Sequence, residues 1–441
     1  MNDRKKRIPF VFTLLDYKAM EEYFEMQAAK GWMLDKINSF TMEFQKIEPR
    51  AIKFAVDVFP YISAFDSYNS QAIKDYRDLC EKTGWTYVTS SNKLQVFCTE
   101  DTESYIPLQT DPVEEERIIK KAFYSLEVLL MFIIFPILFL SLGGLFPFQY
   151  DKLFVNSDIV RTIMLPLLLI PVSVYVIYYG LWFWRAKRNI KEGLSLPKTS
   201  VKSAVFRGRF HLIISSIVLV IYISAVIVDA VNGHPFPLFF LVIPVAGVGV
   251  GLWFRKKGLA SNRSRKKNIA IFVFLIIGIV TVFNVFVFGR IGSQNNIAHN
   301  LVGISSEVSD GYKVIRLEDF GLEENPEIKA FSKKSSIIVP ESYEYHEVSS
   351  ESTIRTRYYE VVNDDISEYI FEEMLKREGS LLYRDIIEAP ASDWGVDRAY
   401  YLKEDKTMIL LLMDNVVMML ENEMGFSNED VIDISKERLG L

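Results

Sequence analysis

Cys80 and Cys98 are the chain's two thiols, and their chemistry would be redox exchange or metal ligation. Their spacing suits neither: a redox pair wants Cys-x-x-Cys, and a zinc site wants further Cys or His at short intervals. Two buried thiols in a reducing compartment is the reading kept. His299 and His346 stand alone, and no paired-histidine metal motif occurs. The acids Glu318, Asp319, Glu323 and Glu324 lack the alternating ligand pattern of a calcium loop and read as a solvated face. Gly247, Gly249 and Gly251 lie in an apolar run with no strand before them, so they form a packing face and not a dinucleotide turn. Asp393-Trp394-Gly395 reads as a turn with an aromatic anchor. With no nucleophile elbow and no Walker loop, the chain is expected to be no enzyme and to hold no cofactor or metal.

One pattern does repeat. Tyr23 with Gly31-Trp32 recurs as Tyr76 with Gly84-Trp85 at an offset of 53, which also brings Phe44 onto Phe97. In each copy the apolar positions before the glycine fall at helical spacing, through Ala19, Tyr23 and Met26, then Ile73, Tyr76, Leu79 and Cys80. A glycine after such a run supplies the left-handed residue that ends a helix. The tryptophan then opens a strand and packs back over the helix. Expected strands precede the helices at Phe10–Leu14 and Lys53–Phe59, and follow them at Leu34–Ile37, Phe40–Ile47, Tyr87–Thr89 and Leu94–Cys98. The basic start, Arg4 to Arg7, and the run Ile8–Leu15 have no cleavage site, so they open a domain and not a signal peptide. Two strand-helix-strand-strand units are expected to share one antiparallel sheet with both helices on one face. Tyr23, Gly31, Trp32, Tyr76, Gly84 and Trp85 are the structural repeat and the candidate interaction residues; a helix-stop-and-anchor role is favoured over a ligand site.

These residues, with Asp16, carry a resemblance over roughly 8–110 to the domain of unknown function 2812 family. The resemblance implies a bacterial, often multi-pass membrane protein whose gene tends to lie beside a PadR-type transcriptional regulator. It implies no catalytic residue and no substrate.

The rest of the chain must position this unit. Half of the residues are hydrophobic, yet mean hydropathy is only mildly positive, so the apolar residues are concentrated. Five stretches hold them: Phe123–Phe146, Ile163–Trp184, Leu212–Val228, Phe236–Phe254 and Ile269–Phe288. Each approaches the roughly 20 residues that span a bilayer core. Asp229 and His211 stand at the ends, within expected reach of water, and Asn284 lies inside the fifth. Segment 185–210 carries eight basic residues against Glu192 alone, and 255–268 carries seven and no acid. Basic loops stay in the cytoplasm, which places the N-terminus there and the C-terminus outside. Lacking a docking element, these loops read as lipid-facing, and no nucleic acid is expected as a partner.

Residues 291–441 hold 15 Lys and Arg against 31 Asp and Glu, a balance of −16; the whole chain is −6, so residues 1–290 carry +10. Such asymmetry indicates two environments. The acidic part reads as a second α+β domain. Strands are expected at Tyr312–Leu317, Ile337–Val339, Tyr343–Val348, Thr353–Val362, Leu381–Ile387, Ala399–Leu402, Met408–Met413 and Val416–Glu421. A helix capped at Asn363–Asp365 should stop near Gly379, and another should start at Ser427 with Asp430.

The expected fold class is a five-helix, multi-pass α-helical membrane block flanked by two α+β domains. The parts are a cytoplasmic duplicated domain 1–110, a linker 111–122, the membrane block 123–289 and an extracytoplasmic domain 290–441. The expected function is sensory or regulatory and non-enzymatic, coupling the outer domain to a cytoplasmic interaction domain. Its partners would be the bilayer, a cytoplasmic transcriptional regulator and a second copy of the chain. A transporter, or an accessory subunit of one, is the alternative; it is disfavoured by the lack of intramembrane charge.

Overall fold

The computed structural model describes residues 4–38, 40–60, 71–91, 93–124, 127–146, 148–234, 236–253, 265–291, 304–305, 311–322, 328–350, 352–382 and 386–441. The chain forms two compact units. One is Met1–Leu140, Pro166–Leu219 and Val245–Ile279; the other is Ser141–Leu165, Val220–Pro244 and Val280–Leu441.

In the first unit each repeat builds strand, helix, strand, strand. The first copy is β1 (Lys5–Pro9), α1 (Tyr17–Ala29), β2 (Trp32–Ile37) and β3 (Thr41–Lys46). The second is β4 (Lys53–Val58), α2 (Gln71–Lys82), β5 (Thr86–Ser91) and β6 (Leu94–Thr99). β1 lies earlier than the expected Phe10–Leu14 and ends at Pro9, beyond which the Phe10 N–H donates to the Phe40 carbonyl at 2.9 Å. The chain instead winds through a 3-10 turn, Leu14–Asp16, closed by the Asp16 carboxylate on the Thr13 N–H (2.9 Å) and hydroxyl (2.8 Å).

The single sheet expected from the repeat is two: β1-β3-β2 and β4-β6-β5. Their edges β2 and β5 meet through one bond, Ile37 N–H to Thr89 Oγ1 at 3.4 Å. Both strands carry a register shift, at Leu34/Lys36 and at Tyr87/Thr89. These are equivalent positions in the repeat, and a bulge bends a strand out of ladder register. α1 covers the first sheet and reaches the second, with the Phe24 ring 6.3 Å from Phe44 and 5.7 Å from Phe54.

Residues 111–122, expected as a linker, lie in α3 (Pro112–Phe123), started by Asp111, whose carboxylate accepts the Val113 N–H at 2.9 Å. The apolar region holds α4 (Glu127–Ser141), α5 (Asn156–Leu167), α6 (Leu169–Lys191), α7 (Val201–Val231), α8 (Phe236–Trp253) and α9 (Arg265–Ile291).

The five-helix membrane block is not what forms. Among the described residues two helical stretches are long and apolar enough to cross a membrane, Asn156–Lys191 (36 residues, joining α5 and α6) and Val201–Val231 (31 residues). Only 22% and 11% of their apolar windows are buried. The first expected stretch breaks up: Phe123 closes α3, and α4 is 15 residues long before a 3-10 turn at Leu142–Gly144. The fourth and fifth expected stretches fall in α8 and α9, where many side chains lie outside the described residues. Asn284 and His299 are among the residues whose side chains are not described. Pro171 has no N–H for the Leu167 carbonyl, which accounts for the break at Leu168 between α5 and α6.

The second unit carries one antiparallel sheet in the order β11-β12-β13-β14-β10-β9-β8-β7. In chain order its elements are β7 (Ile304–Ser305), β8 (Ile328–Lys334), β9 (Glu341–Val348), β10 (Thr353–Glu360), α10 (Asp364–Leu382), β11 (Ile387–Glu388), α11 (Ala391–Trp394), β12 (Arg398–Tyr401), β13 (Met408–Met413), β14 (Val416–Asn422) and α12 (Glu429–Leu439). Both faces are covered, which is why β13 and β14 read as unbroken apolar runs. Ile409, Leu411, Met418 and Leu420 face a core with Trp394, Phe426 and Leu439. Leu410, Val417 and Met419 face another with Phe371 and Met374 of α10.

Several expectations shift here. Tyr312–Leu317 is irregular and leads into a 3-10 turn, Leu317–Phe320. Ile337–Val339 is a turn organised by the Ser336 hydroxyl, which accepts the N–H groups of Ile338 (3.1 Å) and Val339 (2.9 Å). α10 runs past Gly379, and α12 is capped by Asn428, not Ser427, through the Asp430 N–H at 3.1 Å.

Candidate functional site

The six repeat residues occupy unequal environments. Gly31 and Gly84 both follow their helices with left-handed backbones, φ +82° and +89°. A Cβ on Gly31 would stand 2.8 Å from the Ile47 carbonyl oxygen, whereas one on Gly84 would meet nothing within 4 Å. Gly31→Ala is therefore expected to cost about 2–3 kcal/mol and Gly84→Ala about 1 kcal/mol, read as shifts in the denaturation midpoint. Equal shifts would mean that the Ile47 contact yields freely. Trp85 is buried and donates its indole N–H to the Ile106 carbonyl (2.8 Å), while Trp32 is half-buried under the Lys6 ammonium. Tyr23 packs 5.3 Å from the Phe12 ring, and the Tyr76 hydroxyl donates to the Asp57 carboxylate. The repeat pairs Tyr23 with Tyr76, but only the second holds a carboxylate.

That carboxylate belongs to a charged cleft of about 310 Å³. Its floor is β4, the end strand of its sheet. One wall is α1, whose Glu21 accepts the Val56 N–H at 3.0 Å and whose Glu25 accepts the Phe54 N–H at 3.4 Å. The other holds Trp85, Tyr105 and Gln109, with Gln109 donating to Asp57 at 3.4 Å. Lys18 lies 3.0 Å from Glu21 and 3.9 Å from Glu115 of α3, which also takes the Tyr17 hydroxyl at 3.0 Å. Lys53 lies 3.2 Å from Glu25. Burial raises the carboxyls of Asp57 and Glu115, and it raises the Tyr17 and Tyr76 hydroxyls.

Glu21 is pushed up from 4.5 to about 6, first by burial, against the opposing pull of Lys18 and the Val56 N–H. A carboxyl raised on folding stabilises the protein below its unfolded value, and that contribution is lost as pH rises through the folded value. Unfolding free energy is expected to drop by about 1–2 kcal/mol between pH 4.5 and 6 on account of Glu21. Glu21→Gln keeps an acceptor for Val56 and removes this slope. Denaturant titrations of both proteins at several pH values check it; parallel curves would exclude Glu21 as the titrating group.

Beside the cleft lies a buried ion pair. Asp16 is fully buried and meets the 7% exposed Arg207 of α7 at 2.6 Å. The same Asp16 oxygen takes the Tyr178 hydroxyl of α6 at 2.9 Å, and the Arg207 guanidinium lies 3.5 Å from the Tyr178 ring centre. Tyr178 also shares a 2.9 Å bond with Thr199. α7 comes so close that a Cβ on Gly208 would fall 1.9 Å from the Val11 carbonyl oxygen. Arg207 was legible only as one cation among the eight of its segment, because the sequence carries no sign of its partner.

The second unit has its own buried carboxylate. Asp229, expected within reach of water, is 1% exposed. It accepts the Asn156 N–H (3.0 Å), the Asn156 amide (2.9 Å) and the Ser157 N–H (2.8 Å) at the start of α5. Asn156 in turn accepts the Ile337 N–H at 2.9 Å, and Ser336 donates to the Leu153 carbonyl at 2.5 Å. Tyr150, Leu153 and Phe154 complete the core beneath α10. A lone acid at the end of an apolar helix was the available signal.

Cys80 and Cys98 are free, with burial raising both thiols away from reactivity. Among the described residues no group of three or more His, Cys, Asp or Glu stands ready for a metal.

Residues 16–133 match the family described as protein of unknown function (DUF2812). The match opens at Asp16 and includes the first repeat from α1 onward, the whole second repeat and α3. Neither the curated proteins nor the solved structures gave a match.

Proposed function

With residues 16–133 a DUF2812-family domain, we propose that the protein is a non-enzymatic membrane regulator that couples an acidic extracytoplasmic domain to a cytoplasmic interaction domain. The observation that carries this reading is the Asp16–Arg207–Tyr178 cluster, which ties the family domain to the middle of α6 and the basic N-terminal end of α7. An ion pair with both partners buried holds geometry tightly, so a shift of either helix is felt at α1. Asp229 and Asn156 provide the matching attachment in the acidic unit.

The largely unburied apolar helices face lipid. The basic segment between them faces the cytoplasm, in the bacterial cell membrane, and the acidic residues 311–441 face outside. The partner of the family domain is a cytoplasmic transcriptional regulator.

Crosslinked capture from membranes, with the full-length chain tagged on its N-terminal domain, tests this reading. Wild type should capture a regulator in amounts that change with envelope stress, and Arg207→Met should capture it without that response. Identical stress responses in both would sink the coupling. A cytoplasmic signal from a reporter fused at Leu441 would overturn the sidedness.

A further inference from the structure

The cleft over β4 has the form of a groove along a sheet edge. An edge strand leaves alternate N–H and C=O groups unpaired, and proteins cover such edges to prevent pairing with another chain. Here the covers are the Glu21 and Glu25 side chains, each standing where a neighbouring strand would present a carbonyl to Val56 and Phe54. The match is metric. Residues four apart on a helix are about 6 Å apart along its axis, and residues two apart on a strand are separated by about 6.6 Å. The carboxylates of α1 therefore follow the repeat of the strand they cover.

We propose that this groove docks an extended peptide with basic side chains, which pairs with β4 as an added strand. The peptide's carbonyls take over the Phe54 and Val56 N–H groups, and the released Glu21 and Glu25 become counter-ions for its cations. Charge complementarity selects this occupant: the lining has five carboxylates against three lysines. Trp85 and Tyr105 supply aromatic surface for long basic side chains. Main-chain pairing gives the affinity and alternate side chains the selectivity, as in other strand-addition complexes. The inference rests on the reading of the DUF2812 domain as an interaction module and names the chemistry of what it holds.

The test uses full-length protein in detergent and an array of dye-labelled heptapeptides with Lys or Arg at alternate positions and varied apolar residues between them. Members should bind by fluorescence anisotropy, with acidic counterparts at least tenfold weaker. Glu21→Gln with Glu25→Gln should weaken binding about tenfold in protein that still unfolds in a single cooperative transition. N-methylation of one alternate set of peptide amides should abolish binding, and methylation of the other set should not. Absence of binding across the array, equal binding of acidic peptides, equal effects of the two methylation sets, or full competition by spermidine at equal charge would each overturn the proposal. Arg207→Met keeps the groove residues, so intact peptide binding with a retained stress response would count against the coupling alone.

Discussion

Replacing Arg207 with methionine is expected to destabilise the first unit by about 3–5 kcal/mol, the usual cost of stranding one member of a buried ion pair. Asp16 is fully buried, and without the guanidinium its charge keeps only the Thr13 and Tyr178 donors. Methionine fills much of the volume, so lost packing contributes little. Asp16→Asn combined with Arg207→Met should recover at least about 1 kcal/mol relative to Arg207→Met alone, because the stranded charge is gone. Guanidinium titration of the detergent-solubilised protein, followed by tryptophan fluorescence, measures both. A single variant as stable as wild type would mean that Asp16 finds water or another cation.

Asp229→Ala is expected to cost the second unit about 2–4 kcal/mol. One carboxylate satisfies two backbone N–H groups at the start of α5 and the Asn156 amide. Helix N-termini leave such donors without internal partners, and their partial positive charge favours an anion. Left buried without an acceptor, each costs about 1–3 kcal/mol. Once Asn156 is loose, its bond to the Ile337 N–H weakens, so amide exchange should rise across 336–339 as well as at 156–158. Asp158→Ala is the control. Asp158 pairs with an Arg161 that is 51% exposed, and its loss should cost below about 0.5 kcal/mol. Equal effects at the two positions would remove Asp229 from its role.

Both carboxylates were visible in the sequence, yet neither role was. Asp16 entered as part of a family pattern, and Asp229 as an acid at a helix end. What each touches comes from 191 and 73 positions away respectively, and residue type carries no information about a partner at that distance. The edge groove was hidden for the same reason. Glu21 and Glu25 carry no signal of their own in the sequence; their role depends on β4 lying beside them.

Local physics, by contrast, reads directly from the chain. Gly31 and Gly84 take positive φ because nothing else ends a helix so cheaply there, and the 53-residue offset carries even the bulges at Leu34 and Tyr87. The charge asymmetry and the concentration of apolar residues were likewise plain. The five-helix expectation failed where composition was read as length. Leu142-Gly143-Gly144 tightens into a 3-10 turn inside the first apolar stretch, and α7 starts at Val201, well ahead of its apolar run. By itself, then, the sequence determined the duplicated unit, its helix stops, its apolar segments and the acidic C-terminal part, because these depend on neighbours within a few residues. Only the tertiary structure decided that the repeat splits into two sheets, which helices are long enough to cross, and that Asp16, Asp229 and Glu21 are held from water. Those outcomes depend on which distant surfaces meet, since burial and pairing are properties of the packed chain.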